Sequence, residues 1–457
     1  MMLNKFRYAY FIGIGGIGMS ALARYFNCLD IRIFGYDKNP SGLCAELESE
    51  GIGIYYVDEI NNIPDIVLKN RNETLIVYTP AIRSNNKIIR YFIENNYTVI
   101  KRSKVLGLIT QDHFTIAVAG THGKTTISSM IAHILHSSGI NCTAFLGGIS
   151  KNYQSNLIFS KEDSVMVVEA DEFDRSFLFL NPDIAIISSV DQDHLDVYNT
   201  QEDLLKAFSD FSYNIKEGGT LFLEDRLDSS IFDRADISLI KYSMNTTSEC
   251  YGYDIKYNPG YTEFNVNYQD NSILSLQLNM GGEYNVSNAV VSISTSKLLG
   301  VPDHKIVDGM KTFAGIKRRY EIHIETKDIV FIDDYAHHPS EIEVAILAVR
   351  KMYPGRKITV IFQPHLFTRT RDLLDEFGDA LSLSDRLILL DIYAAREKEI
   401  EGISSQVLLE KCIVEDKELS TLNEVIHLIS KEDTDILLTL GAGDISTIVD
   451  PIKKILL

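Results

Sequence analysis

The sequence predicts an α/β protein built from successive sheet units, and three observations carry that prediction. Apolar strand-like runs alternate with helix-like segments along nearly the whole chain, the pattern of mostly parallel sheets. Three of those runs lead directly into glycine-bearing loops, at 13–18, 120–126 and 441–444. Finally, 457 residues at ~100–200 residues per domain make two to four domains.

Each unit reads in order. The run Tyr8–Ile12 is followed by glycines, a helical segment over 19–26 and a second strand over 31–35. A third run, 74–79, ends in Pro80, and this first unit closes near 101–109. A fresh strand, Thr115–Ala119, opens a second unit whose helix runs to Ser138, and Val165–Glu169 and 184–189 continue its sheet. The stretch 252–278 alternates polar and apolar residues and is rich in Tyr and Asn, which predicts antiparallel strands at an edge of that sheet. A third unit starts after Arg319, with strands over 329–332, Ile358–Phe362, Arg386–Leu390 and 435–439.

Composition narrows the function. Hydrophobic residues are 45% and charged residues 23%, a balance that excludes wholesale disorder and a fibrous class. With 44 Lys+Arg against 63 Asp+Glu the net charge is −19, which argues against nucleic acid or a membrane surface as partner, because a polyanion needs a large basic face. A small anionic substrate in a locally basic cleft stays compatible with that charge. No run reaches the ~18 apolar residues of a membrane span, and the start lacks the features of a signal peptide. Five scattered cysteines, odd in number and without a CxxC pair, read as reduced thiols of a cytoplasmic protein rather than a zinc site.

The glycine loops carry the chemistry. Gly13-Ile-Gly15-Gly16-Ile-Gly18 lies between a strand and a helix, the setting in which backbone amides meet a pyrophosphate, with Asp37 closing the next strand where an acid would meet a ribose. A tight turn that needs glycine for packing alone is the alternative. Gly120-Thr121-His122-Gly123-Lys124-Thr125-Thr126 supplies what a triphosphate needs: amides, a lysine and a hydroxyl for Mg²⁺. It is shorter than the full P-loop, with Val118 where the first glycine would stand. Gly441-Ala442-Gly443-Asp444 is equally a ligand contact or a plain turn.

Acids and histidines follow at strand ends. Glu169-Ala-Asp171-Glu172 ends one strand and Asp191-Gln-Asp193-His194-Leu-Asp196 the next. Like charges so close call for a cation. Glu169 and His194 are the expected metal contacts; Asp171, Asp191 and Asp196 read equally as solvated loop acids. In the third unit Asp333-Asp334-Tyr335-Ala336-His337-His338 and Gln363-Pro364-His365 with Arg369 share one sheet edge, where open α/β sheets bind ligands. His113, His133, His136, His304, His323 and His427 read as ordinary residues.

Taken in order, GIGGIGMSALA, GTHGKTT, EADEFDRSF, DHLDVY, YNVSNA, RRYE, DDYAHHPSEI, FQPHLFTRT and GAGDI closely resemble the Mur ligase family, and its L-alanine-adding branch in particular. The motifs run from Gly13 to Ile445. The branch that re-attaches recycled murein peptide shares the GTHGKTT and histidine motifs, but the GIGGIGMS opening looks like the L-alanine branch. The resemblance implies three domains: a Rossmann-like UDP-sugar domain over 1–108, a central P-loop ATPase domain with a mixed sheet over 109–316, and a Rossmann-like C-terminal domain over 317–457 that closes over both ligands. It implies a cytoplasmic enzyme of peptidoglycan precursor synthesis. ATP would phosphorylate the lactyl carboxylate of UDP-N-acetylmuramate, and the amine of L-alanine would displace phosphate from the acyl phosphate.

Residue by residue, the resemblance places the ATP phosphates at Gly120, Thr121, His122, Gly123, Lys124, Thr125 and Thr126, with Lys124 on the β- and γ-phosphates. Thr125 and Glu169 match the family's first Mg²⁺ site and His194 its second, which makes two ions per active site. Asn288 resembles the adenine contact, Arg319 a phosphate contact and Asp334 the ribose contact. Tyr335, His337, His365 and Arg369 match positions that hold the nucleotide sugar or orient the acyl phosphate. Gly15, Gly16 and Gly18 are expected at the UDP diphosphate and Asp37 near the uridine. Two departures stand out, Tyr284 where many members have His and Leu366 where they have Arg. Lys206 lies near the position of a carbamylated lysine in sister ligases, at a spacing that fits a surface lysine instead. The chain is expected as a monomer or homodimer. A nicotinamide-dependent dehydrogenase accounts for the first loop but leaves Lys124, Glu169 and His194 idle, and a nucleotide-binding non-enzymatic protein has no need of the third unit's histidines.

Overall fold

The computed structural model describes residues 2–83, 85–162, 164–191, 198, 200–232, 234–395 and 397–457. They form three sheets. The first has the order β3-β2-β1-β4-β5, with β1 Tyr8–Ile12, β2 Arg32–Tyr36, β3 Gly53–Tyr55, β4 Thr74–Tyr78 and β5 Thr98–Lys101, and each pairing is parallel. Strand alternation sends Tyr10, Phe34 and Ile76 into one apolar cluster and Phe11, Ile33 and Leu75 into another on the opposite face. This is the Rossmann-like arrangement the motifs implied.

The second sheet is ten-stranded, in the order β15-β14-β13-β12-β11-β10-β6-β9-β7-β8. Its strands are β6 Thr115–Ala119, β7 Cys142–Ser150, β8 Ser155–Ile158, β9 Val165–Glu169, β10 Ile184–Ile187, β11 Thr220–Glu224, β12 Ser238–Ser243, β13 Cys250–Asn258, β14 Tyr261–Tyr268 and β15 Asn271–Leu278. The central β6 is buried along its whole length and lies between β9 and β10, parallel to both. The Tyr- and Asn-rich stretch does form the edge. However, β13 joins β12 in parallel, and only the two-residue connections from β13 to β14 and from β14 to β15 are of the hairpin kind expected from the alternation.

The third sheet has the order β16-β17-β21-β18-β19-β20, with β16 Glu321–Glu325, β17 Val330–Asp334, β18 Ile358–Phe362, β19 Arg386–Leu390, β20 Asp416–Ser420 and β21 Ile436–Leu440. β16 pairs antiparallel with β17, and the other pairings are parallel. Three loops therefore leave neighbouring strands β17, β21 and β18 at the same sheet edge.

The chain divides into two compact units, one of Met1–Tyr253, Val266–Ile273 and Ser287–Thr312, the other of Asp254–Asn265, Leu274–Val286 and Phe313–Leu457. Within the first unit one apolar cluster runs from Phe11 and Ala21 through Phe145 and Val168 to Leu223, so the first two sheets share a core. A buried polar clamp reinforces it. Arg24, on the helix Ile17–Cys28, donates to Asn156 Oδ1 on β8 at 2.5 Å and to Glu50 at 2.7 Å. Asn156 Nδ2 in turn donates to the Ile17 carbonyl at 2.6 Å and to Ser20 Oγ at 2.8 Å. The five cysteines are free thiols. Among the described residues no helix is long and apolar enough to cross a membrane.

Candidate active site

In the first unit, two anion-seeking loops stand at the carboxyl ends of parallel strands. The 120–126 loop leaves β6 with Gly120 at φ +131°, where an added Cβ would fall 2.1 Å from Ser188 Oγ; only glycine fits so close to the next strand's end. Ser189 fastens the loop from that side, its Oγ accepting the His122 amide at 2.9 Å and lying 2.9 Å from Thr121 Oγ1. The helix Lys124–Ser138 begins within this segment, so its first amides are open to an anion, as at any helix N-terminus. Asn288 Oδ1 would lie 2.7 Å from a Cβ on Gly123, which sets Asn288 against the loop. Thr121, Thr125 and Thr126 are buried, and His122 Nε2 stands 3.5 Å from Asp191 Oδ2.

Lys124 is held by a partner that motif reading did not assign. Its ammonium donates to both Glu172 oxygens, at 2.9 and 2.8 Å, and to the Gly120 carbonyl at 2.7 Å. Glu172 is fully buried. Burial by itself would lower the Lys124 pKa; the charges of Glu172, Asp171 and Glu169 reverse that and hold it above its ordinary value. The sequence signal for Glu172 was its place three residues after Glu169, but nothing in the motif says which of the neighbouring acids turns inward.

Glu169 ends β9 beside the loop. Its Oε1 accepts the Gly147 amide at 2.7 Å, and Thr125 hydrogen-bonds the same carboxylate. Burial raises the Glu169 pKa, opposed by those two hydrogen bonds. A buried carboxylate and a threonine hydroxyl brought together at a phosphate loop are the oxygen donors that Mg²⁺ takes from protein, so this pair fits the ion. His194, Asp193 and Asp196 lie outside the described residues. Lys206 is exposed on the helix Gln201–Tyr213, the surface lysine its spacing suggested.

The 13–18 loop is built differently from a bare glycine turn. Asp37 Oδ2 accepts the Gly15 amide at 2.8 Å, and a Cβ on Gly15 would meet that carboxylate at 2.9 Å and Cys44 Sγ at 2.7 Å. Thus Gly15 and Asp37 satisfy each other, and Gly16 donates to the Gly13 carbonyl at 3.3 Å. Gly18, in the first turn of the helix Ile17–Cys28, lies beside Arg102, whose Nη1 would be 2.7 Å from its Cβ.

The second unit gathers its histidines at one sheet edge. His337 and His365, from the loops after β17 and β18, have ring centroids 6.0 Å apart, and Tyr393 stacks on His365 at 5.7 Å. Arg369 Nη1 lies 3.4 Å from His365 Nδ1. Burial, then His337 and Arg369, push the His365 pKa down to about 4, and burial lowers His337 as well. Both imidazoles are therefore neutral near pH 7. Tyr335 carries Arg318 and Arg319 at 5.3 Å from its ring centre. Asp334 accepts amides from Tyr320 at 2.6 Å and Ala336 at 2.8 Å, yet burial raises it to about 6. Tyr284, the departure from His, is half-buried, and desolvation raises its pKa; Leu366 caps the helix Phe367–Asp372 with φ +72°.

Two further features of this unit are structural. The 441–444 loop is tied down by Arg318 donating to the Gly441 carbonyl and Gln363 donating to Asp444 Oδ1 at 2.6 Å. Ligand atoms of Glu321, His323 and Asp333 cluster within 4.8 Å of one another. There Arg318 already donates to Asp333 at 3.0 Å and its amide to Glu321 at 2.8 Å, so a guanidinium supplies the positive charge.

The chain matches three family models: "Mur ligase family, catalytic domain" over residues 8–114, "Mur ligase middle domain" over 118–296 and "Mur ligase, glutamate ligase domain" over 318–443. It is 44% identical to the UDP-N-acetylmuramate–L-alanine ligase of Flavobacterium johnsoniae, covering 100% of this chain and 99% of that protein. It is 43% identical to the protein of the same name from Parabacteroides distasonis, covering 100% and 98%. Among solved structures it resembles the UDP-N-acetylmuramate–alanine ligase of Thermotoga maritima, with TM-score 0.83, 26% identity and 98% of each chain covered. A murein peptide ligase from Psychrobacter arcticus shares the fold at TM-score 0.68 and 23% identity, with 98% of each chain covered.

Proposed function

The chain belongs to the Mur ligase family, and from that premise we propose that it is an ATP-dependent ligase joining L-alanine to the lactyl carboxylate of UDP-N-acetylmuramate in peptidoglycan precursor synthesis. The observation that carries this reading is the end-to-end match to two curated relatives of that name, which favours the L-alanine branch over the peptide-recycling one. The domains are proposed as 1–108, 109–316 and 317–457. A net charge of −19 and cytoplasmic nucleotide substrates agree with a cytoplasmic enzyme that engages neither nucleic acid nor membrane.

The chemistry follows from the substrates. A carboxylate resists an amine because oxide is its leaving group. Its oxygen attacks the γ-phosphorus, ADP departs, and the resulting acyl phosphate has a good leaving group. The L-alanine nitrogen, as the free amine, then attacks the acyl carbon, phosphate leaves, and the nitrogen gives up one proton, which the departing phosphate can take, keeping the other as the amide N–H. Lys124 and the loop amides would neutralise the triphosphate, with Thr125 and Glu169 as ligands of Mg²⁺ and His194 as ligand of a second ion. Bound there, Mg²⁺ supplies positive charge that lets two anions approach. Asn288, Arg319 and Asp334 are proposed for the nucleotide. Tyr335, His337, His365 and Arg369 are proposed for the sugar nucleotide and the acyl phosphate, Arg369 by its fixed fork of donors.

An amino-acid panel tests the proposal: L-alanine, glycine and L-serine with UDP-N-acetylmuramate, ATP and Mg²⁺, following phosphate and product together. Phosphate release that needs neither the amino acid nor the sugar nucleotide would refute it. A Lys124→Ala or His194→Ala variant that ligates at the full rate would refute that residue's role.

A further inference from the structure

We propose that Arg102 is a binding residue for the nucleotide sugar, its guanidinium gripping the diphosphate together with the amides of Ile17 and Gly18. The inference rests on the UDP-sugar reading of the 13–18 loop and names the contacts that reading lacked.

Three observations converge. First, the loop's amides are unevenly committed. Gly15 donates to Asp37 and Gly16 to the Gly13 carbonyl, whereas Ile17 and Gly18, the first two residues of the helix Ile17–Cys28, have no acceptor among the described residues, as helix geometry dictates for a first turn. The anion's seat therefore lies at Ile17 and Gly18 rather than at Gly15. Second, Arg102 is there already. It opens the helix Arg102–Thr110 at the end of β5, and its Nη1 and Cζ would lie 2.7 and 3.1 Å from a Cβ on Gly18. Glycine at 18 leaves room for this cation beside the helix start. Third, the guanidinium is poorly satisfied. Its side chain is only 21% exposed, and among the described residues its charged partner is Asp171 Oδ2 at 3.8 Å, too long for a hydrogen bond.

A planar group with five donors, mostly withdrawn from water and set beside two open amides, matches a diphosphate's oxygens. Asp171 places it without consuming its donors. The neighbouring Lys101 is already paired with Asp174, so of these two cations it is Arg102 that keeps its hydrogen-bond donors open among the described residues.

The test is calorimetric titration of the full chain with UDP, UDP-N-acetylmuramate and ADP, for wild type, Arg102→Ala and Arg102→Lys. Losing a charge-assisted contact should weaken UDP and UDP-N-acetylmuramate alike, on the order of 10- to 100-fold in Arg102→Ala. Arg102→Lys should recover part of that, because it keeps the charge without the fork. ADP affinity should stay within about twofold in each variant, a readout that a general structural defect would move; should Arg102→Ala not fold, Arg102→Lys carries the comparison. UDP affinity unchanged in both variants would overturn the proposal. A loss confined to UDP-N-acetylmuramate would overturn the diphosphate assignment, moving the contact to the sugar's lactyl carboxylate. A wild-type chain that binds neither uridine ligand would overturn the functional reading itself.

Discussion

Replacing Glu172 by Gln should destabilise the nucleotide-free protein and at the same time tighten its grip on ADP. The buried Lys124–Glu172 pair makes contacts of 2.8 and 2.9 Å. At that separation Coulomb attraction in an effective dielectric of ~20 is about 6 kcal/mol before desolvation is subtracted. Removing one member of such a buried pair typically costs about 3–5 kcal/mol, because the other charge is left uncompensated. Gln keeps an acceptor for the ammonium, so about 3 kcal/mol is expected for Glu172→Gln. Phosphate oxygens bound at the loop would take Glu172's place on Lys124, so the variant no longer pits a carboxylate against them. Hence ADP should bind tighter, by roughly tenfold for each 1.4 kcal/mol of relieved competition. A double-mutant cycle with Lys124→Met isolates the pair: the two single losses should exceed the double loss by about 3 kcal/mol or more, read from urea unfolding. Additivity to within about 0.5 kcal/mol would refute the pairing argument. ADP affinity reduced tenfold in Glu172→Gln would refute the competition argument, making the carboxylate a contributor to nucleotide binding.

Gly147→Ala would put a Cβ 2.3 Å from Glu169 Oε2, displacing that carboxylate from Thr125; a kcat loss on the order of 100-fold is expected with the thermal midpoint little changed, and a rate unaltered across a Mg²⁺ titration would contradict Glu169's role. His133 is buried between Tyr153 Oη at 2.8 Å and Thr312 Oγ1 at 3.0 Å, and burial, with His136 adding to it, lowers its pKa to about 4. A depressed histidine contributes stability above its unfolded pKa of ~6.5 that is lost as pH falls toward 4, about 3 kcal/mol in all; urea unfolding of wild type against His133→Gln over that window should show the difference, and parallel pH profiles would exclude it. His365, lowered to about 4, should keep the imidazole signals of a neutral ring at pH 5.5 in NMR, and a midpoint near 6.5 would contradict its packing between His337, Arg369 and Tyr393. Asn156→Ala removes three buried hydrogen bonds and leaves Arg24 short of an acceptor, for an expected loss of about 3 kcal/mol; a urea midpoint equal to wild type would show the clamp to be dispensable.

How much of this was legible in the sequence depended on whether the signal was local. β6, β9, β18 and β19 match their apolar runs residue for residue, because a strand buried on both faces needs no partner to declare itself. The edge strands β3, β5 and β20 are partly exposed and carry no such run, but burial is not the whole account, since β11, buried along its length, and β7 also lie outside the strands expected from the sequence. Among site residues, Lys124, Thr125 and Glu169 sit in contiguous motifs and come together as those motifs imply. Arg102 and Ser189 could not be singled out, because their meaning arises only when the sheet order sets their strand ends beside the glycine loops. Asp37 reads from the sequence as an acid for the uridine, and what the sequence does not show is that its carboxylate accepts the Gly15 amide and braces the loop.

The acidity of the chain takes on a specific meaning at these loops. Lys124 faces Glu172, and Arg102 faces Asp171; both acids belong to the one segment after β9. Lys101, next to Arg102, is paired with Asp174 of the same segment. Three cations from the phosphate loop and the end of the first sheet are thus held by one short acidic turn, which carries two consecutive residues, Asp174 and Arg175, at φ +56° and +53°. Backbone held there in two non-glycine residues is strained; Asp174 is paired with Lys101 and Arg175 lies over the Tyr198 ring. A local excess of acid in this protein is therefore a scaffold for cations. The −19 of the whole chain says little about its sites, since the acids nearest the two glycine loops lie against the cations of those loops.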